Sequence, residues 1–190
     1  TSKAFRAAYK EHIVNLLMLA GNTKAAAEKK MLASFAIEKA IAQAMYDKVK
    51  LRDVDANCHV MSYLAMKKMY PEIDWDMYFA KLGYPKFNSI DVNQIEPIKA
   101  ICKLMVTKPI NDLKAYTEVG VIMSAAEVLS DAFHQENFRY VCKLAGISQD
   151  NPRWKRGVEL VSGMLSEAVG KLYVEKYFPE SNKQKVENLV

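Results

Sequence analysis

The 190-residue sequence predicts an all-α fold: an irregular multi-helix domain with short connections and at most one minor strand-like stretch. Three observations carry that prediction. Apolar residues recur at three- and four-residue spacing along most of the chain, the period of one helix face. Gly21, Gly83 and Gly146 stand at the ends of such segments, where a left-handed residue closes a helix. Pro71, Pro85, Pro97 and Pro152 fall just past helix ends or in first turns, where a missing N–H is tolerated.

The first segment, AFRAAYKEHIVNLLMLAG, puts Phe5, Tyr9, Ile13 (with His12 beside it), Leu16 and Leu19 or Ala20 on one stripe. A second helix from Lys24 to about Lys50 runs through Met31, Phe35, Glu38, Ile41, Ala42 and Met45, with Asn22 or Thr23 as its N-cap. Glu38 falls close to the apolar stripe, and a carboxylate there calls for a cationic partner, because an unpaired buried charge is strongly unfavourable. A third helix is expected from about Asp55 to Met69, stopping before Pro71. Asp74 then caps a short helix that points Trp75, Phe79 and Leu82 inward and ends at Gly83.

The only strand-like stretch lies around Phe87 to Val92, too short to form a sheet alone. Asn93 and Glu96 resemble a capping pair, with Pro97 in the first turn. One long helix is expected from about Ile110 to Phe133, and the next closes on Gly146. Asn151 and Pro152 suit cap and first-turn roles for a final segment in which Trp154, Val158, Val161, Leu165, Ala168 and Leu172 recur at helical spacing. No fixed repeat of about 20–50 residues marks a solenoid.

Composition narrows the function classes. Hydrophobic residues make up 51% and charged residues 26%, ordinary for a folded chain with one sizeable core. No run approaches the roughly 18 apolar residues of a membrane span. The opening TSKAFRAAYKEH lacks the apolar centre of a signal peptide, so a mature protein or an interior piece of one is expected. The net charge of +5 comes from scattered lysines, and only RWKR clusters cations, so nucleic acid is not an expected partner. Cys58, Cys102 and Cys142 are isolated and odd in number, which points to free thiols rather than a disulfide framework.

Catalytic motifs are missing from the residues themselves. His12, His59 and His134 stand far apart, whereas a zinc peptidase motif needs histidines at i and i+4 with a glutamate beside the first. AFHQENF has a glutamate two residues after its histidine and no second histidine. No nucleophile elbow, phosphate-binding loop or catalytic cysteine motif is present. No catalytic or metal-binding residue is therefore assigned, and no substrate-binding residue is named. Gly157, Gly163 and Gly170 lie within a helical segment, where each costs about 1 kcal/mol relative to alanine. Close approach of a neighbouring helix would compensate, with cleft lining as the alternative. YLAMKKMYPEIDWDMYF reads first as a core stripe and second as an adaptable ligand groove.

Several stretches, in order, resemble the neprilysin and endothelin-converting-enzyme family of zinc metalloendopeptidases, in its non-catalytic helical part. RAAYKEHIVNLLMLAG resembles the family's R-x-x-Y-x-x-H-[IV] helix, and FAIEKAIAQAM its E-x-x-[IL]-A segment, here Glu38, Ile41 and Ala42. LRDVDANCHVMS resembles an R-D pair followed by [HN]-x-M, here Arg52, Asp53, His59 and Met61, and DWDMYFAKLG the D-W-x-x-[YF]-[FL] element. Most specific is PRWKRGVELVSGMLSEAVGKLYVEKYFPES, similar to R-W-[KR]-R followed by A-[VL]-G-x-L-Y-V-E.

That resemblance implies a helical lid over a water-filled cavity whose zinc site, an H-E-x-x-H motif with a later glutamate, belongs to another domain. Residues 1–190 would form a single helical domain, a fragment of the non-catalytic, substrate-gating part of a larger peptidase. It would restrict and orient peptide access, with no cofactor of its own and zinc in the parent enzyme. Its partners would be the catalytic domain of the same parent chain and peptide substrates, with no membrane-spanning segment of its own. Vertebrate members carry cysteine where this chain has Gly157, so a bacterial-type parent is implied, with an extracytoplasmic setting (periplasm or envelope) expected and the cytoplasm as the alternative. Arg153 and Arg156 would be partners for carboxylates such as Glu38 or Asp53. The rival reading is a free-standing helical interaction module that grips amphipathic peptides.

Overall fold

A computed structural model describes residues 3–188 as eleven helices, one 3-10 turn and two short strands. The chain divides into two compact units, Thr1–Gly146 and Ile147–Val190.

In the first unit, α1 (Lys3–Leu19) and α2 (Lys24–Ala44) form a hairpin. Gly21 takes a left-handed φ of 91° at the turn, a conformation in which a side chain would be strained. Thr23 is the N-cap of α2, its hydroxyl accepting from the Ala26 N–H. Asn22 ties the turn down instead: its amide donates to the Leu17 carbonyl, and its oxygen accepts from Lys30 Nζ at 2.8 Å. The buried face of α1 is Ala8, His12, Ile13, Leu16 and Leu17, while Phe5 and Leu19 are exposed, so the stripe is rotated from the expected one.

Helix α2 stops at Ala44, short of Lys50, because Asp47 Oδ1 accepts from the Val49 and Lys50 N–H groups and starts a separate turn at Lys50–Arg52. The helix expected over Asp55–Met69 is likewise divided into α3 (Val54–Asn57), β1 (Val60–Ser62) and α4 (Tyr63–Met69). Strand β1 pairs antiparallel with β2 (Ser89–Asp91), Met61 opposite Ile90, so the strand-like stretch near Phe87–Val92 finds its partner in residues that sequence alone reads as helical. Ser62 ends the strand by capping α4, its hydroxyl accepting from the Ala65 N–H.

Asp74 caps α5 (Trp75–Lys81), accepting from the Met77 N–H, and Gly83 closes the turn with φ 75°. Trp75 and Phe79 pack inward, but Leu82 is exposed. Helix α6 (Ile95–Thr107) has Gln94, not Asn93, at its N-cap, and no side chain caps it. The long helix expected from Ile110 to Phe133 is two, α7 (Ile110–Ala125) and α8 (Asp131–Ala145). Between them Ser130 is extended and Asp131 enters the first turn of α8, a local start signal that outweighs the continuous apolar period.

Two apolar clusters hold this unit. Ile13, Leu17, Ala27, Met31 and Val119 join α1, α2 and α7. Met66, Tyr70, Val92 and Cys102 join α4, the end of β2 and α6, with Trp75 and Phe79 packed against them. In the second unit the chain forms α9 (Arg153–Met164), α10 (Ser166–Tyr177) and α11 (Glu180–Glu187). Pro152, rather than Asn151, occupies the N-cap of α9. Leu165, at φ −121° and ψ 40°, interrupts the periodic segment between α9 and α10.

Candidate interaction face

The histidines are separated by the fold as they are by the sequence. His12 is buried on α1, His59 precedes β1, and His134 is buried on α8. Among the described residues, no group of three or more His, Cys, Asp or Glu is placed to hold a metal ion.

His12 belongs to a structural network. Its Nδ1 lies 3.0 Å from Glu136 Oε1, and its ring stacks on Tyr140 with centroids 4.5 Å apart. Glu136 also accepts twice from Arg139, at 2.7 and 2.9 Å, and Arg139 reaches Glu11 at 3.4 Å. Burial lowers the His12 pKa below its usual value, and the Glu136 contact only partly opposes this. Burial alone would raise the Glu136 carboxyl, but hydrogen bonds from Arg139 and His12 hold it below the usual carboxylate range. The arrangement clamps α1 to α8. Sequence reasoning passed over Glu136 and Arg139, whose i,i+3 spacing on one helix was the available signal.

Glu38 meets a neutral donor where a cation was expected. The Tyr9 hydroxyl donates to Glu38 Oε1 at 2.7 Å, which satisfies the half-buried carboxylate without an ion pair. Arg156, one of its expected partners, donates instead to Asp150 Oδ2 and to the Asn151 carbonyl, both at 3.0 Å, within the second unit.

The Met/aromatic stretch divides between core and pocket wall. Met66 and Tyr70 are buried core, while Trp75 and Phe79 also form part of the wall of a pocket of about 480 Å³.

The helices of the second unit keep large apolar side chains exposed. None of the residues of α9, α10 and α11 is buried. Trp154 is 71% exposed, Val158 56%, Val161 49%, Leu165 58% and Leu172 66%, and these are the residues that repeat at helical spacing. A Cβ added at Gly157, Gly163 or Gly170 would meet nothing within 4 Å among the described residues. Within the second unit no neighbouring helix approaches these glycines. An amphipathic stripe of this kind normally faces a core. Here its apolar side chains are exposed, with open space beside the glycines.

The profile of peptidase family M13, in its N-terminal part, matches residues 1–190. Neprilysin-2 of Drosophila melanogaster is 23% identical over 192 aligned residues, covering 93% of this chain and 25% of that protein. Neprilysin-11 of Caenorhabditis elegans is 25% identical over 131 residues, covering 64% of this chain and 15% of the relative. Among solved structures, the Mycobacterium tuberculosis zinc metalloprotease Zmp1 in its open state superposes with a TM-score of 0.89 at 29% identity, over 98% of this chain and 29% of that one. PepO from Lactobacillus rhamnosis, at 18% identity and a TM-score of 0.85, shares the fold. The chain thus spans between about a seventh and a third of the length of these relatives. From its all-α architecture and the match along its whole length, the chain belongs to peptidase family M13, in that family's N-terminal helical domain.

Proposed function

We propose that this chain is the non-catalytic helical domain that encloses the reaction cavity of a neprilysin-like zinc metalloendopeptidase acting on peptides. The observation that carries the reading is the exposed apolar side chains of α9 and α10, which are suited to pack against further polypeptide of the same enzyme. A relative such as Zmp1 is more than three times longer than this chain, which is consistent with such a partner. The domain restricts the size of what enters and orients peptide termini. Residues 1–190 act together in this role, as one domain.

The residues present do not fit a zinc site. His12 is committed to Glu136, and among the described residues no other His, Cys, Asp or Glu joins it in a metal-holding group. No step through the metal is derived from them. In the parent enzyme, zinc would supply the activated water for amide hydrolysis. No described helix is long and apolar enough to cross a membrane, and an extracytoplasmic setting is proposed from the family membership, with the cytoplasm as the alternative.

The test is size selectivity in the full-length peptidase. Val158→Asp with Leu172→Asp, both among these exposed side chains, is expected to loosen enclosure, so that an unfolded protein of about 100 residues is cut faster relative to a short peptide. An unchanged ratio with wild-type rates would overturn the reading.

A further inference from the structure

We propose that the pocket beside β2 receives one apolar side chain of an extended peptide, which adds along the free edge of that strand. The pocket is about 480 Å³, within the usual range for ligand sites of roughly 300–1,000 Å³. Ile41, Met45, Phe79 and Ile101 wall it above a floor of Met66 and Tyr70. Ile90, Asp91 and Val92 of the β2 segment line it as well, and no residue of β1 does, so it lies against β2 and not β1.

The strand register leaves one edge of β2 unpaired. The Tyr63 N–H donates to the Asn88 carbonyl and the Val92 N–H to the His59 carbonyl, at the two ends of the ladder. Antiparallel pairs alternate between hydrogen-bonded and non-bonded, so Met61–Ile90 is a bonded pair, while Asp91 and Ser89 turn their N–H and C=O groups away from β1. Both residues are exposed, and the sheet has only these two strands among the described residues. A free edge beside an apolar pocket is the arrangement that recognises an extended chain: main-chain bonds hold it, and the pocket selects one of its side chains.

Gln94 adds a polar element. It occupies the N-cap position of α6, yet its side chain does not cap the helix. Gln94 is among the lining residues, while its Oε1 is closed off from solvent and has no donor among the described residues. A second copy of this chain fits poorly, because a stable dimer buries about 800 Å² on each partner and this pocket admits one side chain. A helical partner would need a longer groove with anchors at i, i+3, i+4 and i+7.

The proposal is independent of the enclosure reading, whose failure would appear in size selectivity and not in peptide binding. The probe is the blocked pentapeptide acetyl-Thr-Val-Phe-Val-Thr-amide, with a version carrying Asp in place of Phe as control. Binding is read by Trp75 fluorescence in a Trp154→Phe background and by amide shifts of Ser89 and Asp91. Ser89→Pro removes an edge N–H that β1 does not use, and Met45→Glu charges an exposed wall of the pocket.

The expected result is saturable binding of the Phe peptide, no binding of the Asp peptide, and affinity weakened about tenfold or more by either substitution. Should a variant lose its helical circular dichroism, the Ser89 and Asp91 shifts in the otherwise unaltered protein decide. Absence of binding at millimolar peptide overturns the proposal, as does equal binding of the Asp peptide. Affinity that survives Ser89→Pro with no edge amide shift also overturns it, pointing to a small-molecule pocket.

Discussion

The Tyr9 hydroxyl sits 2.7 Å from Glu38 Oε1 and so joins α1 to α2 at the margin of the first apolar cluster. Burial first, then the neighbouring carboxylate, pushes the Tyr9 phenol well above its usual range. Tyr9→Phe leaves a half-buried carboxylate without its donor and is expected to cost about 1–3 kcal/mol in urea unfolding. Glu38→Gln, which keeps an acceptor oxygen for Tyr9, is expected to cost less. A larger cost for Glu38→Gln than for Tyr9→Phe would show that the charge outweighs the hydrogen bond.

Burial of His12 makes stability depend on acidity. The folded-state pKa of His12 lies below its ordinary value of 6.5, so below that value the unfolded chain binds more protons and folding weakens as pH falls. Above it, His12 contributes no slope. Glu136, whose folded pKa is also lowered, adds loss of the same sign at still lower pH, below the usual carboxylate value of 4.5. His12→Gln is expected to flatten the stability profile just below pH 6.5, measured by denaturant unfolding at a series of pH values. An unaltered slope would remove His12 from the account.

Much of this was legible in the sequence, for reasons that differ by residue. Thr23, Asp74 and Gly146 act locally, through their own hydroxyl, carboxylate or backbone freedom, and were readable as caps or closures. The division at Val60–Ser62 was not, because its cause is a partner strand some 30 residues away, a separation no local period reports. The second unit shows the opposite limit. The Trp154–Leu172 stripe was legible as a helical period, but a period gives only which residues share a face, not what covers that face.

The helical glycines of the second unit make a prediction of opposite sign in two settings. Gly157, Gly163 and Gly170 lie within helices and have open space where a Cβ would go. In the 190-residue chain, each change to Ala is expected to stabilise by about 0.5–1 kcal/mol. In the full-length enzyme, Gly163→Ala is expected to lose that gain if another segment packs there. Thermal unfolding of both forms reads the difference.

Arg156 is held by Asp150, and both side chains are partly exposed, at 20% and 33%. Arg156→Ala is therefore expected to cost about 1 kcal/mol or less, the range of a solvent-screened pair. A loss above about 3 kcal/mol in urea unfolding would indicate a buried partner instead.

The central claim is that the exposed apolar side chains of α9 and α10 are built to be covered by polypeptide outside these residues. Trp154, one of only two tryptophans and 71% exposed, reports on them directly. Acrylamide quenching of Trp154 is measured in the 190-residue chain with Trp75→Phe as background, and in the full-length peptidase as the difference between forms with and without Trp154→Phe. The account predicts strong quenching in the first and marked protection in the second. Equal, strong quenching in both would contradict it.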